Sequence, residues 1–191
     1  MGRWAPDSRG RLARIAFALF AEKGFDETTS AEIAEAAGLT ERTFFRHFAD
    51  KRDVLFYAVP LAAGRLAERI AEAPAEVAPI EAVTEAIAAM CGDFQEEPEL
   101  ARQRHRVIAS SPALQERELA KHEELARAIA AALVARGVDP TPARACGAVG
   151  IAAFRVAFPA WCAQRRVKGA DLPETFRQTM AAFRAAVAEA R

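Results

Sequence analysis

Three short apolar stretches near the N-terminus, each ended by a turn signal, constrain this 191-residue chain more than any other feature. From Arg9 to Lys23 the apolar set is Leu12, Ile15, Ala16, Leu19 and Phe20, a spacing that puts one apolar face on a helix. Gly24 closes that stretch, and Phe25 returns to the core just past it. Thr29 and Glu32 have the spacing of a capping box, which opens a second helix over 30–37 that stops at Gly38. Thr40 caps a third helix over about 41–47. Asp50 and Asp53 have cap and third-position spacing for a fourth. Three helices in about forty residues, joined by turns of three or four, are too small to enclose a core alone. They must pack on one another and on the fourth.

The rest of the chain reads as longer helices punctuated by proline. The fourth runs to about Ala73, the fifth from Pro79 to Gln95 and the sixth from Pro98 to Ala109. Ser110-Ser111-Pro112 opens a seventh that ends at Gly137. Thr141-Pro142 repeats the device for an eighth, to about Val167, and Asp171 with Glu174 opens a ninth. Pro60 and Pro159 fall inside apolar helical patterns and are expected to kink or break them. The bend at Pro60 reads equally as a hinge or as a static feature. Alanine, the best helix former, fills about a quarter of the chain. The expected fold is all-α, with about nine helices: a three-helix head over 1–50 and a helical bundle over 51–191. Half the residues are apolar, which excludes disorder, and alternating β-branched runs are too few for a sandwich or barrel.

Basic and acidic side chains balance at 26 each, so a globally basic coat is excluded while a local basic face is not. The longest apolar runs are about ten residues, short of the roughly 18 a bilayer span needs. No apolar leader or acylation pattern opens the chain. Cys91, Cys146 and Cys162 lack metal or disulfide spacing and read as small core residues. The expectation is a cytoplasmic protein with reduced thiols, no membrane contact, no metal and no cofactor.

Function is concentrated between Ser30 and Phe48, which have the layout of a helix-turn-helix. Ala34 is small enough for the third helix to approach, Gly38 supplies the turn and Thr40 the cap. Phe44 and Phe48 are four apart and face the core. The other face carries Arg42, Thr43, Phe45, Arg46 and His47. A short helix with an aromatic inner face and a basic, hydroxyl-bearing outer face suits the major groove.

The run Ala18-Leu19-Phe20-Ala21-Glu22-Lys23-Gly24-Phe25, with Thr28-Thr29, Ile33 to Thr40, Thr43-Phe44-Phe45-Arg46-His47-Phe48 and Asp50-Lys51, resembles the DNA-binding domain of TetR-type repressors over about 50 residues. That resemblance implies a head that binds double-stranded operator DNA and a helical C-terminal domain that dimerises and binds a small effector. It also implies base-facing roles for Arg42, Thr43, Phe45 and Arg46, and phosphate-facing roles for Thr29, Thr40, His47 and Lys51. Position 42, often glycine in such proteins, adds a possible guanine reader here. Position 45, often tyrosine, is phenylalanine and lacks the hydroxyl, which points it to a thymine methyl or a sugar. Glu41 to Arg46, taken with Arg104 to Leu114, is similar to the branch whose C-terminal half is described as acyl-CoA-like ligand-binding, which includes the regulator of mycofactocin genes. An acyl-CoA, or another apolar ligand, is the effector this implies.

The first 55 residues hold nine Lys or Arg and nine Asp or Glu, so non-specific DNA binding should be modest. The basic residues gather at 3–14 and 42–52. Candidate pocket residues are Phe94, Arg104, His105, Ile108, Leu125, Phe154, Phe158 and Trp161, each of which also reads as bundle core. Arg104 and His105 suit an anionic headgroup, or pairing with Glu96, Glu97 or Glu99. Phe176, Met180, Phe183 and Val187 form an apolar stripe on the last helix, the candidate dimer interface. No paired-carboxylate, Ser-His or metal constellation suggests an enzyme. The competing readings are an all-α ligand carrier, or a protein-interaction module whose helix-turn-helix does not read DNA.

Overall fold

The computed structural model describes residues 8–164 and 171–189. The described residues are helical, with no strand among them: α1 Ser8–Lys23, α2 Ser30–Ala36, α3 Glu41–His47, α4 Asp53–Phe56, α5 Val59–Glu72, α6 Pro79–Glu96, α7 Pro98–Ala109, α8 Pro112–Ala135, α9 Pro140–Ala163 and α10 Leu172–Glu189. The end of the eighth helix expected at about Val167 lies outside the described residues.

Two compact units form. Of the described residues, one comprises those up to Ala58 together with Glu99–Glu118; the other comprises Val59–Pro98 together with those from Leu119. The three-helix head read from the sequence as 1–50 thus sits in a unit that also takes in α4, α7 and the first turns of α8.

Local signals built the first unit as their chemistry requires. Glu32 N–H donates to Thr29 Oγ1 (3.2 Å) and Thr29 N–H to Glu32 Oε2 (2.8 Å), closing the capping box on α2. Thr43 N–H donates to the Thr40 hydroxyl (3.2 Å), which caps α3. Asp53 N–H donates to Asp50 Oδ1 (2.9 Å) and Ala49 N–H to Asp53 Oδ2 (3.0 Å), a reciprocal pair at the start of α4. Gly24 and Gly38 take φ of +92° and +66°, left-handed values that a side chain resists. Leu12, Phe17, Phe20, Ile33, Phe44 and Phe48 are buried beneath these turns.

The helix expected to run from about residue 50 to Ala73 is instead two. It breaks at Tyr57–Ala58, and Pro60 lies in the first turn of α5. There a missing N–H breaks no helical bond, so the proline starts a helix and does not kink one. At the eighth expected helix, Asp139-Pro140 and not Thr141-Pro142 supplies the opening. Pro159 lies inside α9, yet the helix continues to Ala163, so the expected break is absent.

In the second unit α6 packs on α5, α9 and α10, and α9 packs on α10. A Cβ on Gly147 would lie 2.5 Å from the Ala126 carbonyl oxygen of α8, and one on Gly150 would lie 2.6 Å from Val83 Cγ1 of α6. Small residues therefore let α9 approach two neighbours closely. By length and composition α9 could cross a membrane, but 44% of its most apolar window is buried inside the chain. Its apolarity has a core to explain it.

Ion pairs tie α10 to α6. Arg177 makes two hydrogen bonds to Glu85 (3.1 and 2.9 Å), and Arg184 pairs with Glu81 and donates to Thr84 Oγ1 (3.1 Å).

Candidate functional site

In the first unit α3 turns one face in and one out. Phe44 and Phe48 are buried with ring centroids 5.5 Å apart. Arg42, Phe45 and Arg46 are exposed on the opposite side. Phe45 is 51% exposed, although burying a phenyl ring stabilises a fold by roughly 1.5–3 kcal/mol. Its ring meets Phe44 edge-on at 5.5 Å, which orients it without covering it. The structure thus brings three of the four expected base-facing residues into one exposed row at i, i+3 and i+4. The fourth, Thr43, is half-buried, with its hydroxyl 3.0 Å from that of Thr40.

The expected phosphate-facing residues are more occupied. Thr29 donates its hydroxyl proton to Glu32 Oε2 (3.1 Å) and accepts from the Glu32 amide. Lys23 also holds Glu32, at 2.8 Å, and the Glu32 carboxyl is lowered to about 2 by Lys23 and by its bonds to Thr29. His47 is half-buried, and its Nε2 has no hydrogen-bond partner. Burial first, then the charges of Arg46 and Arg9, hold the His47 imidazole below its ordinary value. Lys51 points its ammonium at the carbonyls of Phe25, Thr28 and Asp26.

Of the expected pocket residues, Arg104, His105 and Ile108 lie on α7 in the first unit. Arg104 does not pair with Glu99. It makes two hydrogen bonds to Glu118 (3.2 and 2.8 Å) and a third, from Nε, to the Leu55 carbonyl (2.7 Å). Arg106 is the residue that takes Glu99, at 3.0 Å. Arg104 and Arg117 both lie over the Phe56 ring, 5.4 and 5.0 Å from its centroid, and Arg117 pairs with Asp53. Burial lowers the His105 imidazole, against the opposing pull of Glu118.

Leu125 and the four expected aromatic residues lie in the second unit. Phe94 sits 6.0 Å from Phe154 and 5.3 Å from Phe158, Phe154 stacks on Phe158 at 5.3 Å, and Phe158 meets Trp161 at 5.8 Å. His122 joins this ladder edge-on to Phe154 at 6.0 Å and is itself buried. Sequence reading passed over His122 because it stands alone among the helical residues of α8. Its signal was a lone imidazole in register with Leu125 and Ile129, on the face that turns inward.

The expected dimer stripe divides. Phe176 and Met180 are 0% and 1% exposed, so they belong to the chain's own core and are removed from any outer face. Phe183 and Val187 remain outward at 44% and 52%, as does Val156 of α9.

Among the described residues, no group of three or more His, Cys, Asp or Glu side chains is placed to hold a metal. Cys91 is buried, which pushes its thiol up to about 12.

Comparison with known proteins places these features. Residues 14–58 match the profile for bacterial regulatory proteins of the tetR family, and residues 77–188 match that of the MftR C-terminal domain. The transcriptional regulator TcmR of Streptomyces glaucescens is 31% identical over 139 residues, covering 69% of this chain and 62% of TcmR. The chain therefore spans a little under two thirds of that relative. The FadR repressor of Thermus thermophilus, solved with lauroyl-CoA, is 26% identical with a TM-score of 0.57, covering 91% of both chains. The fatty acid degradation regulator FadR of Bacillus halodurans shares the fold at a TM-score of 0.63 and 16% identity, covering 93% of this chain and 94% of its own.

Proposed function

Because this chain belongs to the TetR family of bacterial regulatory proteins, we propose that it is a ligand-responsive, sequence-specific DNA-binding transcriptional regulator, a repressor released from its operator by a small apolar or acyl-CoA-like ligand. The observation that carries this reading is the outward row on α3. A half-exposed phenyl flanked by two arginines, on a helix whose other face is core, is a costly surface in the absence of a partner. In a major groove it has one: the arginines suit guanine edges and the ring suits a thymine methyl. Thr29, Thr40 and His47 are proposed to flank the row on the phosphate side, with the helix start at each cap offering backbone N–H groups where the threonine proton is already used.

The proposed effector-contacting set is the ladder Phe94, Phe154, Phe158 and Trp161 with Leu125 and His122, an apolar wall suited to an acyl chain. The lauroyl-CoA complex of the Thermus relative supports that ligand class. A homodimer through the outward apolar residues of α9 and α10 would set two α3 helices on half-sites about one turn apart, ~34–36 Å. The chemistry proposed is binding and not catalysis, in the cytoplasm.

Fluorescence anisotropy against a labelled duplex from upstream of the protein's own gene, with a scrambled duplex and a salt series beside it, tests this. Binding that beats the scramble, weakens with salt and reverses on adding a long-chain acyl-CoA is expected. Binding no better than scramble here and across a genome-wide pull-down would overturn it in favour of a carrier or a protein-interaction module.

A further inference from the structure

We propose that Lys51 works inward: it is the positioning residue that holds the corner between α1 and α2 in shape, and it is not one of the groups that touch DNA. An ammonium carries three N–H donors and no more. Here three carbonyl oxygens surround it, those of Phe25 at 2.7 Å, Thr28 at 2.9 Å and Asp26 at 3.0 Å. The same nitrogen lies 4.6 Å from the centroid of the Phe25 ring, a cation–π contact. No donor is left for a phosphate.

The corner needs such a group. Its carbonyls lie past the last turn of α1 and before the cap of α2, where no helical ladder satisfies them. Gly24 turns the chain at φ +92°, and the buried Thr28 hydroxyl donates to the Gly24 carbonyl at 2.8 Å. With Lys51 in place, Gly24, Phe25, Asp26 and Thr28 each have a donor, three of them from one residue 23 to 26 positions further on. Lys51 lies two residues before α4, so the contact pins the start of α4 to the loop that carries Thr29, and with it the pitch of α2. A compact ammonium can aim at three separate oxygens, whereas a guanidinium offers a flat fork. The neighbouring Arg52 is also turned to protein, with Nε 2.9 Å from Asp50 Oδ2.

The first arm of the test needs no DNA. The chain has four lysines, at 23, 51, 121 and 168, so acetic anhydride labelling read by mass spectrometry resolves each. In the free protein, Lys51 is expected to react roughly tenfold or more slowly than in the urea-unfolded chain, since its amine is exposed only when the corner opens. Equal rates, with protection appearing only on adding DNA, would overturn the proposal.

The second arm rests on the operator reading and uses the full chain with a short mixed-sequence duplex. Lys51→Met and Lys51→Arg are both expected to lower the melting temperature and to move the amide resonances of Gly24–Glu32, while those of the second unit stay. The slope of log K against log salt should not change. A slope reduced by about 0.9 per protomer in Lys51→Met, and retained in Lys51→Arg, would overturn the proposal, because that is the signature of one lost phosphate contact. If the wild type shows no salt-dependent binding at all, the operator reading fails, and the labelling arm still decides Lys51. It decides equally if Lys51→Met does not fold.

Discussion

Arg104 and Glu118 give the sharpest quantitative test of the first unit. Their side chains are 14% and 17% exposed, and two N–H···O bonds join them. Arg104 also donates to the Leu55 carbonyl, which ties α7 to α4. Removing one partner of a buried pair strands the other charge and costs about 3–5 kcal/mol when burial is complete. Water reaches this pair at its edge, so a somewhat smaller loss of about 2–4 kcal/mol is expected for Arg104→Met or Glu118→Leu. For a chain of this size that is a fall of roughly 4–16 °C in melting temperature. The double variant Arg104→Met/Glu118→Leu strands no charge. It should therefore be more stable than either single variant, losing chiefly the bond to Leu55, about 1 kcal/mol. Urea unfolding followed by far-ultraviolet circular dichroism gives the four free energies of the cycle. A double variant as unstable as the sum of the two singles would refute the reasoning, because it would show that the two charges do not interact in solution.

Arg42→Ala should relax base choice at one position per half-site at a cost of ~1–3 kcal/mol, read by anisotropy on single-base operator variants. An equal loss on every sequence would make Arg42 a phosphate contact. Gly147→Ala should destabilise more than Gly150→Ala, because its Cβ would meet backbone, the Ala126 oxygen at 2.5 Å, where that of Gly150 meets movable side-chain ends. Gly92→Ala, with nothing within 4 Å, should stabilise α6 by about 0.4–1 kcal/mol in thermal melts. The Glu32 carboxyl is lowered from 4.5 to about 2, so its contribution is complete above the unfolded value and lost as pH falls through that window. Glu32→Gln should flatten the acid limb of stability between those two values, and an unchanged limb would remove the capping box from acid unfolding. His47 is lowered by burial, Arg46 and Arg9, and a phosphate beside it would draw a proton back. Operator affinity should then rise as pH drops through the ordinary histidine range, and His47→Gln should abolish that rise.

What the sequence made legible is what a few neighbouring residues decide among themselves. Thr29 with Glu32, Thr40 with Thr43, Asp50 with Asp53, and Asp171, which accepts the Glu174 amide at 2.9 Å, are pairs three apart whose geometry a helix start dictates. Gly24 and Gly38 were readable because a left-handed residue after a helix excludes most side chains. The row on α3 followed from a period of 3.6. The break at Tyr57–Ala58 was not readable, because Val54 to Ala63 is apolar on every side and carries no cap. The stripe on α10 told which residues share a face and not what covers it. Phe176 and Met180 are taken up by the chain's own core, while Phe183 and Val187, one and two turns later, stay outward.

Charge was the least legible property, since its partner lies far along the chain. Counting basic residues at 3–14 and 42–52 gives a picture of an arm and a recognition face that point cations at DNA. Three of the described residues of that set are engaged at home. Arg9 lies over Phe48 and Tyr57, at 5.3 and 5.5 Å from their centroids; Lys51 holds a loop; Arg52 holds Asp50. Of these residues Arg42 and Arg46 are on the exposed face of α3. A head that uses its cations to build itself is expected to attract the phosphate backbone weakly, with a small non-specific affinity and salt slope. On the proposed reading, discrimination would come from the few groups able to reach base edges, the exposed row of α3.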